Sequence, residues 1–184
     1  MSRARRSALA GAEPLSPRRK WRAITLATLL LVPSYWSVLA GLVSVASDRE
    51  DAPNAGPFIA FGLALVPFVF IALAFLSEHP RAPGAVVKAM ILAIVVGIPI
   101  SALAQDAVTG FVAALGAGGT AALRPEPASD RRTRWIAVLS ATAGSFLLVR
   151  VAGEVALLLA PILPFTSIGV ADHLAEGRSQ HGAV

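Results

Sequence analysis

The chain has 184 residues, of which 55% are hydrophobic and only 15% charged, and its mean hydropathy is +0.69. A water-soluble domain usually carries about 25% charged residues, so there is too little polar surface to cover a water-facing sphere, and a separate soluble domain is excluded. The formal charge is +5 at pH 7, yet the bases sit in a tail and in loops between apolar runs, a placement that orientation in a membrane explains and nucleic-acid binding does not require.

Cysteine is absent, which excludes disulfides, thiolate metal sites and cysteine nucleophiles together. Lys20 and Lys88 are the only lysines against 14 arginines, and Ala, Val, Gly and Pro are plentiful. That bias is typical of GC-rich bacterial genomes and leads to the expectation of a bacterial plasma membrane. A transmembrane helix needs about 20 apolar residues to cross a hydrocarbon core roughly 30 Å thick. The expected fold is an all-α polytopic bundle of five or six spans over residues 23–171. A basic disordered tail (1–22) precedes it and a short polar tail (172–184) follows.

In chain order, the tail holds Arg3, Arg5, Arg6, Arg18, Arg19, Lys20 and Arg22 against the single acid Glu13, with Pro14 and Pro17 and no apolar periodicity. The first span is expected from about Ala23 to Ser47. An apolar run of about 25 residues exceeds the 7 to 15 of a cleaved signal peptide, despite the small residues Ser44, Val45 and Ala46 near its end. Asp48, Arg49, Glu50 and Asp51 with Pro53, Asn54, Gly56 and Pro57 make an acidic turn-rich loop. The second span is Phe58 to Leu76. A short loop with Glu78, His79, Pro80, Arg81 and Pro83 leads into the third, where Lys88 lies close enough to the start to snorkel back to the surface.

Apolar residues then run from Ala85 to Leu123 with one polar interruption, Gln105-Asp106. A single helix of that length would measure about 58 Å, so a tight hairpin is expected at Gln105-Asp106, with a fourth span from Ala107 to Leu123. Arg124, Arg131, Arg132 and Arg134 form a basic loop before Trp135. With the N-terminus inside, the tail, the Glu78 loop and the Arg124 loop place 13 of the 16 bases in the cytoplasm, the positive-inside pattern.

The stretch from Trp135 to Val170 has two readings. One helix to about Ala160 gives five spans and an outside C-terminus, but leaves Pro161 to Val170 outside the apolar core. A hairpin at Arg150–Glu154 gives six spans and an inside C-terminus, keeps both charges at the interface, and needs a very tight turn. Both stand on the sequence alone, with the six-span reading slightly preferred.

Few residues are candidates for chemistry. Arg150 and Glu154, four apart, would face the same side of one helix and could form an ion pair. A charge at mid-bilayer costs about 2.5–3.5 kcal/mol on insertion scales, so this intramembrane pair is either a relay or substrate contact, or an interfacial turn. Gln105 and Asp106 either line a pathway mouth or end a hairpin. Pro33-Ser34-Tyr35-Trp36-Ser37 puts two aromatic residues that prefer interfaces in mid-span, marking a ligand-facing kink or, more simply, a packing face. Small residues define a candidate helix-packing face: Ala114, Gly116, Gly118 and Gly119 in the fourth span, Ser140 and Gly144 in the fifth. Ser37 and Gly41 have the same spacing.

His79, His173 and His181 lack metal-ligand spacing, and no phosphate-binding glycine loop or Gly-x-Ser-x-Gly elbow occurs. No cofactor is expected and no enzyme. The bilayer is the expected partner, with a membrane-protein partner or a second copy of the chain. The leading expectation is therefore an accessory or scaffold component of a membrane complex. Its rival is a small oligomeric transporter or channel with Arg150 and Glu154 in the pathway. An enzyme on lipid or polyprenyl substrates comes last.

Overall fold

The computed structural model describes residues 15–46, 55–125 and 131–181, with side chains described as far as 175, and every regular element among them is an α-helix. The seven helices of these described residues are α1 (Pro17–Ala46), α2 (Ala55–Leu76), α3 (Ala82–Ala104), α4 (Ala107–Ala122), α5 (Arg131–Val151), α6 (Gly153–Leu159) and α7 (Leu163–His181). Four of them, α1, α2, α3 and α5, are long and apolar enough to cross a membrane, and α6 with α7 makes a fifth such span broken by a 67° bend. The acidic loop expected after the first span lies mostly in residues 47–54, outside the described residues, as do residues 1–14.

The helix ends follow local chemistry. Pro17 opens α1, where its missing N–H costs nothing, and the Ser16 carbonyl accepts from the Arg19 and Lys20 amides at 2.9 and 3.2 Å. Glu78 (φ 53°) and Gln105 (φ 52°) adopt left-handed backbone after α2 and α3, turning the chain back in each case. Asp106 then caps α4: its carboxylate accepts from the Val108 amide at 3.0 Å and the Thr109 amide at 2.8 Å, and also from the Thr109 hydroxyl. This side-chain cap satisfies amides that a helix start leaves without partners. The hairpin expected at Gln105-Asp106 is formed by these two devices.

The C-terminal ambiguity is resolved by the path of the chain. At one end of the bundle Arg19 pairs with Glu78 at 2.5 Å, and Asp172 lies against Arg134 at 2.6 Å and Lys20 at 3.8 Å. At the other end Arg150 donates to the Ala104 carbonyl at 3.3 Å. The backbone breaks at Ala152 (φ −148°, ψ 67°) between α5 and α6, so α6 and α7 return to the end where α1 began. Counting the short α4, the chain thus runs along the bundle six times, of which four helices, or five with the bent α6–α7 pair, are long and apolar enough to span a membrane; a single helix from Trp135 to Ala160 does not occur. The returning leg bends because Pro161 cannot continue α6 and Pro164 suits the first turn of α7.

Two boundaries differ from the sequence expectation. α1 begins at Pro17, so residues 17–22 of the expected disordered tail are helical and carry Lys20 into the interior. Asp172, assigned to a polar tail, is fully buried, and α7 continues to His181. The fourth span is a 16-residue helix, about 24 Å long and short of the ~30 Å core. It succeeds because it is central: 11 of its residues are buried, and α2, α3, α5 and α7 all pack against it.

The core joins Ile24 and Leu31 of α1, Phe70 and Leu73 of α2, Ala89 of α3, Leu115 of α4, Val138 of α5, and Phe165 and Ile168 of α7. Helix α1 meets α2 where two glycines allow it. A Cβ on Gly62 would stand 2.6 Å from the Ser34 carbonyl, and one on Gly41 2.8 Å from that of Ala55. Ser34 donates to the Gly62 carbonyl at 2.6 Å. The outward faces carry Leu29, Phe68, Ile98 and Leu139, all more than half exposed, a surface that suits lipid.

Single cysteines can report this path against the cysteine-free background. Gln105→Cys and His173→Cys are expected to react with a membrane-impermeant maleimide from opposite faces. Labelling of both from the same face would refute the six-pass path.

Candidate functional site

The least expected feature of the interior is ionic. Arg134, in the first turn of α5, and Asp172, in the middle of α7, form a two-pronged pair: Nε to Oδ1 at 2.9 Å and Nη2 to Oδ2 at 2.6 Å. Charge-assisted, paired hydrogen bonds of this kind are among the strongest in proteins. Lys20 Nζ stands 3.8 Å from the same carboxylate, and all three residues are buried. Both cations thus face the same carboxylate. Arg134 also reaches the exit of α4, where it donates to the Leu123 carbonyl at 3.1 Å and the Arg124 carbonyl at 2.8 Å. A helix C-terminus carries unpaired carbonyls and partial negative charge, so Arg134 caps α4 from a different helix. Ser77 accepts from the Arg124 amide at 3.1 Å, which secures the same exit to the end of α2.

Beside this cluster, α5 and α7 border a groove of about 810 Å³ that is open to the outside. Thr133, Ala137 and Ser140 line it from α5, and Thr166, Val170 and Leu174 from α7. Their spacings of three and four place each set on one helical stripe. The α7 hydroxyls are internally satisfied: Thr166 donates to the Ile162 carbonyl at 2.7 Å and Ser167 to the Pro164 carbonyl at 3.0 Å. The groove is thus held at one end by the Arg134–Asp172 pair and at the other by the α6–α7 bend. What it presents is an apolar, small-residue wall.

The small residues singled out in the sequence divide into two groups. Ala114, Gly116, Gly118 and Gly119 are used inside the bundle. A Cβ on Gly97 would lie 2.5 Å from that of Ala114, one on Gly116 would come within 2.9 Å of Val138, and one on Gly119 within 3.0 Å of Phe165 and Ile168; one on Gly118 would run into the Phe70 ring. Ser140 and Gly144, by contrast, are not covered: Ser140 is exposed on the groove, and nothing lies within 4 Å of a Cβ on Gly144.

Arg150 and Glu154 are not brought together. They belong to α5 and α6, on either side of the Ala152 break, both are exposed, and no ion pair joins them. Arg150 instead lies over the Phe146 ring at 4.9 Å and bonds the Ala104 carbonyl. They flank the break between α5 and α6. Tyr35 is buried against Phe111, ring centroids 4.9 Å apart, and the half-exposed Trp36 meets it edge-on at 5.5 Å. The mid-span aromatics thus pack helices together. The hydroxyls of Thr28, Tyr35 and Ser145 have no hydrogen-bond partner. Among the described residues no group of His, Asp and Glu is placed to hold a metal ion.

Sequence reading missed Lys20, Arg134 and Asp172 as a unit. The available signal was weak: Asp172 is the first carboxylate after an apolar stretch of 17 residues following Glu154, but Arg134 is one of four arginines in its loop and nothing local distinguishes it.

Removing one member of a buried ion pair leaves its partner uncompensated, at a cost of about 3–5 kcal/mol. Arg134→Ala and Asp172→Asn are each expected to lower the thermal unfolding midpoint in detergent sharply. Arg134→Met with Asp172→Leu should recover only part of the loss, because two α4 carbonyls lose the cap that Arg134 supplies; full recovery would show that the cap is dispensable. The glycine groups separate as well. Gly118→Leu overpacks the core and should cost ~1–3 kcal/mol or more, while Gly144→Ala should be neutral or stabilising by up to about 1 kcal/mol. Equal effects at both sites, read by the same unfolding assay, would contradict the assignment of Gly118 to the interior and Gly144 to the surface.

Comparison with protein-family models, with curated proteins and with solved structures returns no match for this chain.

Proposed function

We propose that this chain is an accessory or scaffold component of a membrane complex, seated on a transmembrane helix of a larger partner through the α5–α7 groove. One observation carries the reading: an open groove of about 810 Å³ between α5 and α7, where Ala137, Ser140, Ala141 and Ala171 lie among larger apolar side chains, beside an uncovered Gly144. Between helices in lipid there is no hydrophobic driving force, and close packing across small residues supplies the attraction instead. Flexible acyl chains make poorer use of such a wall than a rigid helix does. The α4 glycines, fully occupied inside the bundle, leave this stripe as the place where a further helix can approach closely.

The basic end of the bundle, with Arg19, Lys20, Arg124 and Arg134, is placed in the cytoplasm by the positive-inside rule, and a bacterial plasma membrane fits the arginine-rich composition. The rival transport reading rested on Arg150 and Glu154 facing one path. Their exposed positions on separate helices favour the interfacial-turn role.

The test is purification from the native membrane in a mild detergent. A stoichiometric partner is expected, cross-linking to a single cysteine at Ser140 and released by Ser140→Trp without loss of the unfolding midpoint. A chain that runs alone, and whose removal leaves every membrane complex intact, would end this proposal.

A further inference from the structure

A second cavity, of about 500 Å³, lies on the same end of the bundle as the ion cluster, between the α2–α3 turn, the start of α3, the last turn of α4 and the start of α5. Among the described residues, every ionisable side chain that lines it is a base: His79, Arg81, Lys88, Arg131 and Arg134. Arg134 is committed to Asp172 and the α4 carbonyls. Among the described residues, the side chains of Arg81, Lys88 and Arg131 have no ion pair or hydrogen bond, and all three are exposed. Of the acids adjacent in sequence to the lining residues, Glu78 is engaged with Arg19 at 2.5 Å and Arg124 at 3.8 Å, and Glu126 and Asp130 lie outside the described residues. Gly84, Ala85 and Ala121 keep the space open.

We propose that this cavity is a binding site for a phosphate group, held by Arg81, Lys88 and Arg131. The chemistry follows from the donor set. Guanidinium groups present a fixed fork that matches phosphate oxygens, and a lysine adds a mobile point charge. Basic pockets between transmembrane helices at the cytoplasmic side are the usual way membrane proteins hold anionic lipid headgroups. Lys88 is six residues beyond Ala82, at the start of α3, about 9 Å along the helix. The site therefore reaches from the surface toward the acyl region, where the exposed Val87 and Ile91 begin the lipid-facing side of α3. Its volume lies within the ordinary range for small-molecule sites, ~300–1,000 Å³, and leaves room for a glycerol unit beyond the phosphate. A separate sign of positive potential comes from His79. Burial first, then the Arg134 and Arg124 guanidinium groups, hold its imidazole below the usual value of 6.5, so protonating it adds charge where charge already accumulates.

The phosphate could belong to an anionic lipid or to a soluble compound, and the experiment separates the two. Purified full-length protein in a neutral maltoside detergent is titrated with short-chain phosphatidylglycerol, short-chain phosphatidylcholine and inorganic phosphate, with binding read by thermophoresis. Saturable binding of phosphatidylglycerol but not phosphatidylcholine is expected for a lipid headgroup site. Saturable binding of inorganic phosphate as tight as that of the lipid identifies a soluble phosphate ligand; either result supports the proposal. The combined variant Arg81→Gln, Lys88→Gln, Arg131→Gln should weaken binding by about tenfold or more, since each charge-assisted contact contributes substantially. Arg18→Gln, Arg22→Gln, Arg132→Gln together change net charge equally at exposed positions outside the cavity and should leave affinity within about twofold. All six residues are exposed, so an unchanged unfolding midpoint confirms that each variant is folded. No saturable binding of either phosphate compound, or equal losses in the two triple variants, would overturn the site.

Discussion

A single buried carboxylate organises one end of this bundle. Asp172 of α7 lies against Arg134 of α5 and Lys20 of α1, and Arg134 in turn caps the carbonyls at the exit of α4. Four helices are thereby tied to one another by charge-assisted contacts that the surrounding protein shields from water. Desolvating these groups costs several kcal/mol per ion, so the cluster acts less as a source of net stability than as a statement of geometry. Only one arrangement of α1, α4, α5 and α7 leaves none of these charges stranded. The groove between α5 and α7 takes its width from that arrangement.

The second constraint is dimensional. A 16-residue helix is too short to face lipid along a whole crossing, and one rich in glycine is a weak helix former. Both disadvantages disappear when the helix is surrounded. Gly116, Gly118 and Gly119 admit Val138, Phe70 and the Phe165–Ile168 pair to the α4 backbone, so neighbouring helices supply the bulk that α4 lacks. Small residues here are a means of letting large ones reach the centre, and the aromatic pair Phe70–Phe165, with centroids 6.5 Å apart, lies beside them.

The hairpin at Gln105-Asp106 and the all-helical class were legible in the sequence because each depends on properties a residue carries locally: apolar length, a carboxylate able to cap, and a residue tolerant of left-handed backbone. The choice between five and six passes was not, since Arg150 and Glu154 suit a continuous helix as an i, i+4 pair and suit a turn equally well. What decided it was Asp172 meeting Lys20, a contact between residues 152 positions apart. The same distance explains why the ion cluster was missed: a buried aspartate and a tail aspartate look alike until the partner is known. Likewise, the small residues of α4 and of α5 share one spacing, and only the packing shows that the first set is covered and the second open.

The position of Asp172 along the chain also orders biogenesis. A ribosome delivers α1, α4 and α5 before α7 exists, so Lys20 and Arg134 are in place before the carboxylate that both of them face. Until then Arg134 can cap the α4 carbonyls but lacks its two-pronged bond to Asp172. The cluster therefore closes only with the last helix of the described fold, and the order of the chain is also the order in which its parts can lock.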